Sequence, residues 1–441
     1  MDNNKFTKNF EFFMNKNKNK FNGENVALAV SGGADSTALA FLLNKFKNKY
    51  NYNITSFTLD HQLRKESAKE TKFVKKTMNG LNIKHHSLVW SAEKPKTRIQ
   101  ETARIARYDI LAKACRIHNC KYVFLGHHAD DQVETFIIRL SAKSGLDGLG
   151  CMQETSRILT SSGNIELIRP LLNYKKDNLI KICISNQLKW IEDPTNLDMK
   201  YLRSKARKLI VYEDMYRDFS NSIKLFSSLS KNLNFYIHNF MKNDIQFSNL
   251  GICNFNIDKF KELPNIFQIK VLSYLIKIIG GKKYPRKTKI LNNLLENIKS
   301  KKTRNTTVGG AYIKIEDDKI ILYRQLDNSI KNIDLKNDIT VWDRRFIVTN
   351  KTKKPNITIG PLGEKGYLLM IKLNKVKKPS INFNAIKTIP AIRVLEQIVS
   401  IPHLLYWKSS FWKNNIYLNH IEEKLLSEYK NIDIYKSGEK T

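Results

Sequence analysis

The stretch GHHADDQVET, residues 126 to 135, crowds two histidines, His127 and His128, with three carboxylates, Asp130, Asp131 and Glu134. If a helix begins near Asp130, then Asp130 and Glu134 stand at i, i+4, and Asp131 and Glu134 at i, i+3. Acids stacked on one helix face can bind a cation or accept a proton. The spacing has a second reading, because Asp131-x-x-Glu134 matches a capping box with Asp in the Ser/Thr place. The two histidines lack the third Cys or His partner that zinc needs. One of them either steadies charge on a phosphoryl group or serves as a hydrogen-bonding core residue.

The second constellation is SGGADS, Ser31, Gly32, Gly33, Ala34, Asp35 and Ser36, directly after the apolar run VALAV. Two glycines let backbone N–H groups approach phosphate oxygens closely and allow a positive φ where the turn requires it. The helix expected to follow points its positive end at the same place. Ser31 and Ser36 add hydroxyls, and Asp35 is suited to holding Mg2+ on bound phosphates. The plainer alternative is a strand–turn–helix with Asp35 or Ser36 as the cap. No GK[ST] follows, so the lysine of the common nucleotide loop is missing. Two basic clusters, TARIARY with Arg104 and Arg107 and YLRSKAR with Arg203 and Arg207, read as phosphate-binding forks or as solvated helix faces.

These groups need a frame. Between residues 25 and 130, apolar strands at NVALAVSG, ITSFTLDH, KHHSLVW and YVFLGHH alternate with helical stretches. That alternation predicts a parallel sheet with helices on both faces. SGGADS, DHQLR and GHHADD then all follow strand ends, where such sheets bind ligands. Further on come LIRPLL and a helix ending near Trp190. Helical periodicity dominates after about residue 215, GGAYIKIEDDKIILYRQ reads as two strands around a turn at Glu316–Asp318, and the last part mixes short strands with basic turns. The expected architecture is an α/β domain over 1–215 that carries these groups, a mainly helical domain over 216–328, and a small α+β domain over 329–441.

Composition narrows the partner. Of 441 residues, 76 are Lys or Arg against 41 Asp or Glu, a formal net charge of +35. Such an excess favours a polyanion, nucleic acid first, although compositional drift in a Lys-, Asn- and Ile-rich chain is the competing cause. Five cysteines without a C-x-x-C pair point to free thiols in a reducing compartment and away from a zinc or iron–sulfur centre. The N-terminus lacks the apolar core of a signal peptide, and no apolar run approaches the roughly 20 residues that span a bilayer. A cytoplasmic protein is expected, with its first twenty residues compatible with disorder.

The hexapeptide SGGADS resembles the pyrophosphate loop of the ATP pyrophosphatase (PP-loop) superfamily. Together with LDHQLRKES, TARIARY, GHHADDQVET, SGLDGL, RPLL and EDPTNLDMKYLRSKAR, in that order over roughly residues 25 to 210, it resembles the tRNA(Ile)-lysidine synthetase family. GGAYIKIEDDKIILYR and IPAIR are more loosely similar to that family's C-terminal domains. Departures are Gln62, where the family often has Gly, and Ala142-Lys143, where Arg-Gly is common.

The resemblance implies an enzyme that uses ATP and Mg2+ to adenylate the wobble cytidine of the tRNA(Ile) with a CAU anticodon. Lysine then displaces AMP. The loop, residues 31 to 36, would hold the β,γ-phosphates that leave as pyrophosphate. Asp35, Asp130, Asp131 and Glu134 are the catalytic candidates, with Asp131 or Glu134 facing lysine and Asp35 facing the metal. Arg64, Arg104, Arg107, Arg203 and Arg207 would line the anticodon path, and the basic stretches 281–289 and 375–378 would grip other parts of the tRNA. A tRNA thiolase of the same superfamily and a non-catalytic RNA-binding protein are the rival readings.

Overall fold

A computed structural model describes residues 3–60, 67–91, 99–160, 163–192, 202–209, 212–248, 250–282, 286–300, 305–336, 338–376 and 383–420. The chain divides into two compact units, Met1–Asn232 and Leu233–Thr441.

The first unit opens with helices α1 (Asn3–Lys16) and α2 (Lys18–Phe21). Strand and helix then alternate through β1 (Asn25–Ala29), α3 (Ala34–Phe46), β2 (Asn53–Asp60), α4 (Ser67–Gly80), β3 (Lys84–Val89), α5 (Ile99–Ile117) and β4 (Cys120–Phe124). There follow α6 (Ala129–Ser141), α7 (Leu146–Leu149), the hairpin β5 (Thr155–Thr160) and β6 (Gly163–Ile168), α8 (Lys176–Ser185) and α9 (Leu202–Leu209). The sheet order is β3-β2-β1-β4-β6-β5, with every pairing parallel except β5 with β6. This is the expected parallel sheet. α5 covers one face, where Leu111, Ala112 and Cys115 pack on Val123 and Leu167. α1, α3 and α8 belong to the core of the other face, with Phe10, Leu39 and Leu179 fully buried.

The strand order decides where function can sit. β2 and β3 lie to one side of β1, and β4 and β6 to the other. The two halves part between β1 and β4, a switch point where the chain leaves adjacent strands in opposite directions and a crevice opens. The segments leaving β1 and β4 are the two motif loops.

Two local expectations change. The first twenty residues are not disordered where described: Phe6, Phe10 and Met14 are buried, and the Tyr174 hydroxyl donates to the Phe6 carbonyl at 3.3 Å. A Phe every three or four positions gives this Lys/Asn-rich segment an apolar stripe that composition hides. The helix expected to reach Trp190 stops at Ser185, where Asn186 caps it and Gln187 turns left-handed at φ 53°. That turn returns Leu188 and Trp190 to the core.

The division into units falls within the helix Glu213–Asp244. The second unit carries the helices Asn265–Ile279 and Thr288–Lys299 beside a five-stranded antiparallel sheet. The central hairpin of that sheet, Ala311–Glu316 with Lys319–Arg324, turns at the residues expected from sequence. A second five-stranded sheet and a three-stranded sheet complete the unit. Its core includes Trp342 and Phe346, with Arg345 buried beside them.

Candidate active site

The turn after β1 is shaped by one glycine. Gly32 has φ +91°, and a Cβ there would lie 2.9 Å from Val74 Cγ2. Gly33 is extended at φ −71° and is the N-cap of α3, with no side chain capping the helix. Asp35 and Ser36 are therefore not caps. Ser36 Oγ instead accepts the Ser31 N–H at 3.3 Å and donates to the Gly33 carbonyl at 3.1 Å, closing the turn on itself. The Ile191 N–H donates to the Gly32 carbonyl at 2.8 Å. Gly126, after β4, packs so closely that a Cβ would meet Ser36 N at 3.0 Å and the Asp35 carbonyl carbon at 3.1 Å. A glycine is needed there because any side chain would push the loop away.

His128 is the N-cap residue of α6, and its backbone N–H donates to Asp131 Oδ2 at 3.1 Å. The capping acid is thus Asp131 in partnership with His128, and the box expected between Asp131 and Glu134 does not form. The His128 ring is buried among three acids. Its Nδ1 lies 3.3 Å from Asp130 Oδ2, and its Nε2 lies 3.4 Å from Asp35 Oδ2 and 3.6 Å from Asp131 Oδ2. Burial opposes a charge on this ring, but hydrogen bonds to Asp130 and Asp35 and the charge of Asp131 prevail and push its pKa up to about 10. Asp130 is itself partly desolvated, which raises its pKa, yet His128 and the Lys176 N–H (2.7 Å) hold it below the ordinary carboxylate range. His127, one residue earlier, behaves oppositely. Burial lowers it to about 4, and Arg169, Arg107 and Arg203 reinforce this against the pull of Asp131. Adjacent residues of an extended segment face opposite ways, so one histidine meets the acids and the other the arginines.

A cavity of about 640 Å³ lies over these loops. Ser31, Asp35 and Ser36 form part of its wall, with His127, Asp131 and Arg203 on another part. Arg107 also lines it, beside the ends of β2 at Thr58 and Asp60. Glu134 does not line it. That residue is fully buried one turn along α6, its Oε1 accepting from Arg207 Nε at 2.6 Å. Arg203 Nη1 reaches within 4.0 Å of Asp131 Oδ1. Arg104 is exposed and rests over the Tyr108 ring at 5.8 Å, away from the cavity wall. Arg64 and Gln62 lie outside the described residues. Lys143 adopts φ 52°, a conformation suited to glycine.

Two residues, Gly126 and Arg169, gain importance that sequence reasoning did not give them, and His128, one of two histidines left open there, gains a definite place. Gly126 was signalled only by its place at a strand end, and His128 only by its crowd of acids. Arg169 had no signal beyond its motif; its Nη1 donates to the Gln153 carbonyl and Ser156 Oγ at 2.9 Å each, at the edge of the arginine group around His127.

A family model for the PP-loop domain matches residues 3–213. Over 412 residues the chain is 30% identical to a tRNA(Ile)-lysidine synthase of Rickettsia felis, covering 91% of this chain and 95% of that protein. The chain belongs to the tRNA(Ile)-lysidine synthase family. Relatives of the same name from Rickettsia bellii and Rickettsia prowazekii are each 29% identical, covering 92% and 91% of this chain and 96% and 95% of theirs. Among solved structures, a U34-tRNA thiolase from Methanococcus maripaludis matches 51% of this chain and 79% of its own, with 18% identity and a TM-score of 0.41. Membership of the tRNA(Ile)-lysidine synthase family makes the protein an enzyme with an ATP-utilising PP-loop domain. Among the described residues, no helix is long and apolar enough to cross a membrane.

Proposed function

We propose that the enzyme ligates L-lysine to C2 of the wobble cytidine in a tRNA(Ile) with a CAU anticodon, through an adenylated cytidine, releasing pyrophosphate and AMP and changing codon reading from AUG to AUA. The observation that carries this reading is the cavity in which the turn Ser31–Ser36 and the acid Asp131 form parts of one wall. One part suits phosphates and the other an ammonium group.

In the first step the C2 oxygen attacks the α-phosphorus of ATP and the bond to the β-phosphate oxygen breaks, so pyrophosphate leaves. The oxygen becomes an AMP ester, a far better leaving group. Little covalent help is needed here; positioning and neutralisation of phosphate charge dominate. The backbone N–H groups at the start of α3 cradle the leaving phosphates, with Arg107 and Arg203 on the cavity wall. Asp35 Oδ1 is buried without a hydrogen-bond partner. Among the described residues no three His, Cys, Asp or Glu groups are arranged to hold a metal by themselves. A single carboxylate fits Mg2+, which takes the rest of its shell from phosphates and water, so Asp35 is the residue assigned to it. Bound Mg2+ would supply positive charge on the phosphates.

In the second step the lysine side-chain nitrogen forms the bond to C2 while AMP departs. An ordinary lysine ammonium, with pKa near 10.4, costs about 4–5 kcal/mol to neutralise at pH 7. Asp131 on the cavity wall receives that ammonium and accepts the proton that the nitrogen must give up before it attacks C2, with Glu134 buried one turn deeper behind it. For tRNA, the net charge of +35 supports a long electrostatic footprint that includes the described parts of 281–289 and 375–376. The thiolase reading is disfavoured by the cysteines. All five are free and buried, and burial pushes Cys115 and Cys183 up to about 12 and Cys120 and Cys151 to about 11, away from reactive thiolates.

The test combines the purified protein, ATP, Mg2+, labelled lysine and an unmodified CAU tRNA(Ile) transcript. The expected result is lysine entering the RNA with one AMP and one pyrophosphate released per lysine. AMP release without lysine incorporation would move the enzyme to another adenylating chemistry, and neither product would leave only RNA binding.

A further inference from the structure

The deeper acid of α6 has an unusual environment. Glu134 is fully buried, yet only Oε1 is engaged, by Arg207 Nε at 2.6 Å, while Oε2 is buried with no hydrogen-bond partner. An unpaired carboxylate in such a place would be strongly disfavoured, because burial penalises its charge and the neighbouring Asp131 adds repulsion. Arg207 opposes both through its hydrogen bond and its charge, although burial still holds the carboxyl above its ordinary range.

The supporting geometry is built by α9. Ser204 and Ala206 are buried, which seats this short helix on α6, and its two arginines then fall on the two acids: Arg207 on Glu134, and Arg203 more loosely on Asp131 at 4.0 Å. Arginines at i, i+4 thus meet acids at i, i+3. From sequence alone, both arginines read as grips for RNA phosphate. The pairing of Arg207 with a fully buried carboxylate gives it different work.

We propose that Arg207 is a positioning residue for lysine: it acts through Glu134, fixing that buried carboxylate behind Asp131, which meets the incoming ammonium at the cavity wall, and it is not a tRNA contact. The inference rests on the lysine-ligase reading above. A planar guanidinium suits the task, since Nε engages one oxygen from the side and fixes the direction of the carboxylate. Arg207 thereby prevents Glu134 from standing unpaired behind Asp131.

The experiment is a double-mutant cycle on the full chain, with Arg207→Met, Glu134→Gln and the combined variant, read as lysine KM at saturating ATP and tRNA and as tRNA Kd by filter binding. Arg207→Met should raise lysine KM at least tenfold with tRNA Kd within twofold of wild type. Glu134→Gln should do the same, and the combined variant should be no worse than the worse single one, because both changes break one device. If Arg207→Met fails to fold with Glu134 left unpaired, the combined variant, in which both charges are gone, is compared with Glu134→Gln alone, and equal lysine KM and tRNA Kd are expected. The proposal is overturned if removing Arg207 weakens tRNA binding fivefold or more with lysine KM unchanged, or if the two effects multiply. A wild-type protein that incorporates no lysine would overturn the underlying reading instead.

Discussion

His128 Nε2 stands 3.4 Å from Asp35 Oδ2, and this contact ties the phosphate turn after β1 to the acid helix after β4. With Nδ1 3.3 Å from Asp130, the buried ring is shared by acids from two motifs, and those acids favour its charged form. His128→Asn keeps a polar group of similar size and removes the charge. The expected outcome is a loss of at least 100-fold in single-turnover pyrophosphate release and a loss of about 3 kcal/mol in stability from the unpaired acids, read by urea unfolding. Near-wild-type turnover in a stable variant would reject the clamp.

Gly126→Ala tests the close approach of the two loops. The new Cβ meets backbone atoms of Asp35 and Ser36 at 3.0–3.1 Å, and backbone cannot rotate aside as a side chain can. The turn must shift by a few tenths of an ångström. KM for ATP should rise about tenfold or more while the lysine KM stays put, since misplacement is costly where geometry carries the rate. An unchanged ATP KM would show that the loop tolerates displacement.

The N-terminal helix can be tested through its central aromatic. Phe10 is fully buried against Phe46, with ring centroids 5.9 Å apart. Phe10→Ala should cost about 3–5 kcal/mol, as for other large core truncations. Denaturant unfolding of the full chain checks this. A change below 1 kcal/mol would mean that α1 contributes little to the fold.

The second unit should be sensitive to acid. His403 and His420 both lie against the Phe346 ring, with centroids at 5.1 and 5.0 Å. Burial, with the nearby Arg345 guanidinium adding to it, lowers His403 to about 4 and His420 to about 3. The unfolded chain takes up these protons near pH 6.5, so between about pH 6.5 and 4 it binds more of them than the folded protein does. Stability is therefore fully present above pH 6.5 and falls as the pH drops toward the folded pKa values, by on the order of 3 kcal/mol per histidine. Urea midpoints from pH 7 to 4.5 should fall for wild type and fall less for His403→Phe/His420→Phe. Equal slopes would contradict the assignment.

Much of this enzyme was legible in short stretches of chain. The turn at Ser31–Ser36, the helix that begins after His128, the parallel strands and the hairpin around Asp317–Asp318 all depend on neighbours within a few residues, where backbone sterics and apolar periodicity dominate. The N-terminal helix was harder to see because composition, taken over twenty residues, masked a stripe of four apolar side chains.

What the chain's local chemistry specified was a set of parts: a phosphate turn, three acids at the start of one helix and two pairs of arginines. Their assignment to one another came from packing. Placing β4 beside β1, with β2 on the far side, brings Asp35 to His128, and no local pattern encodes strand order. The seating of α9 on α6 turned Arg207 toward Glu134, although a solvated or phosphate-binding face has the same i, i+4 spacing. Adjacent His127 and His128 acquire opposite charge preferences for the same reason. A pKa is set by desolvation and by charges a few ångströms away, and those neighbours are chosen by the tertiary fold.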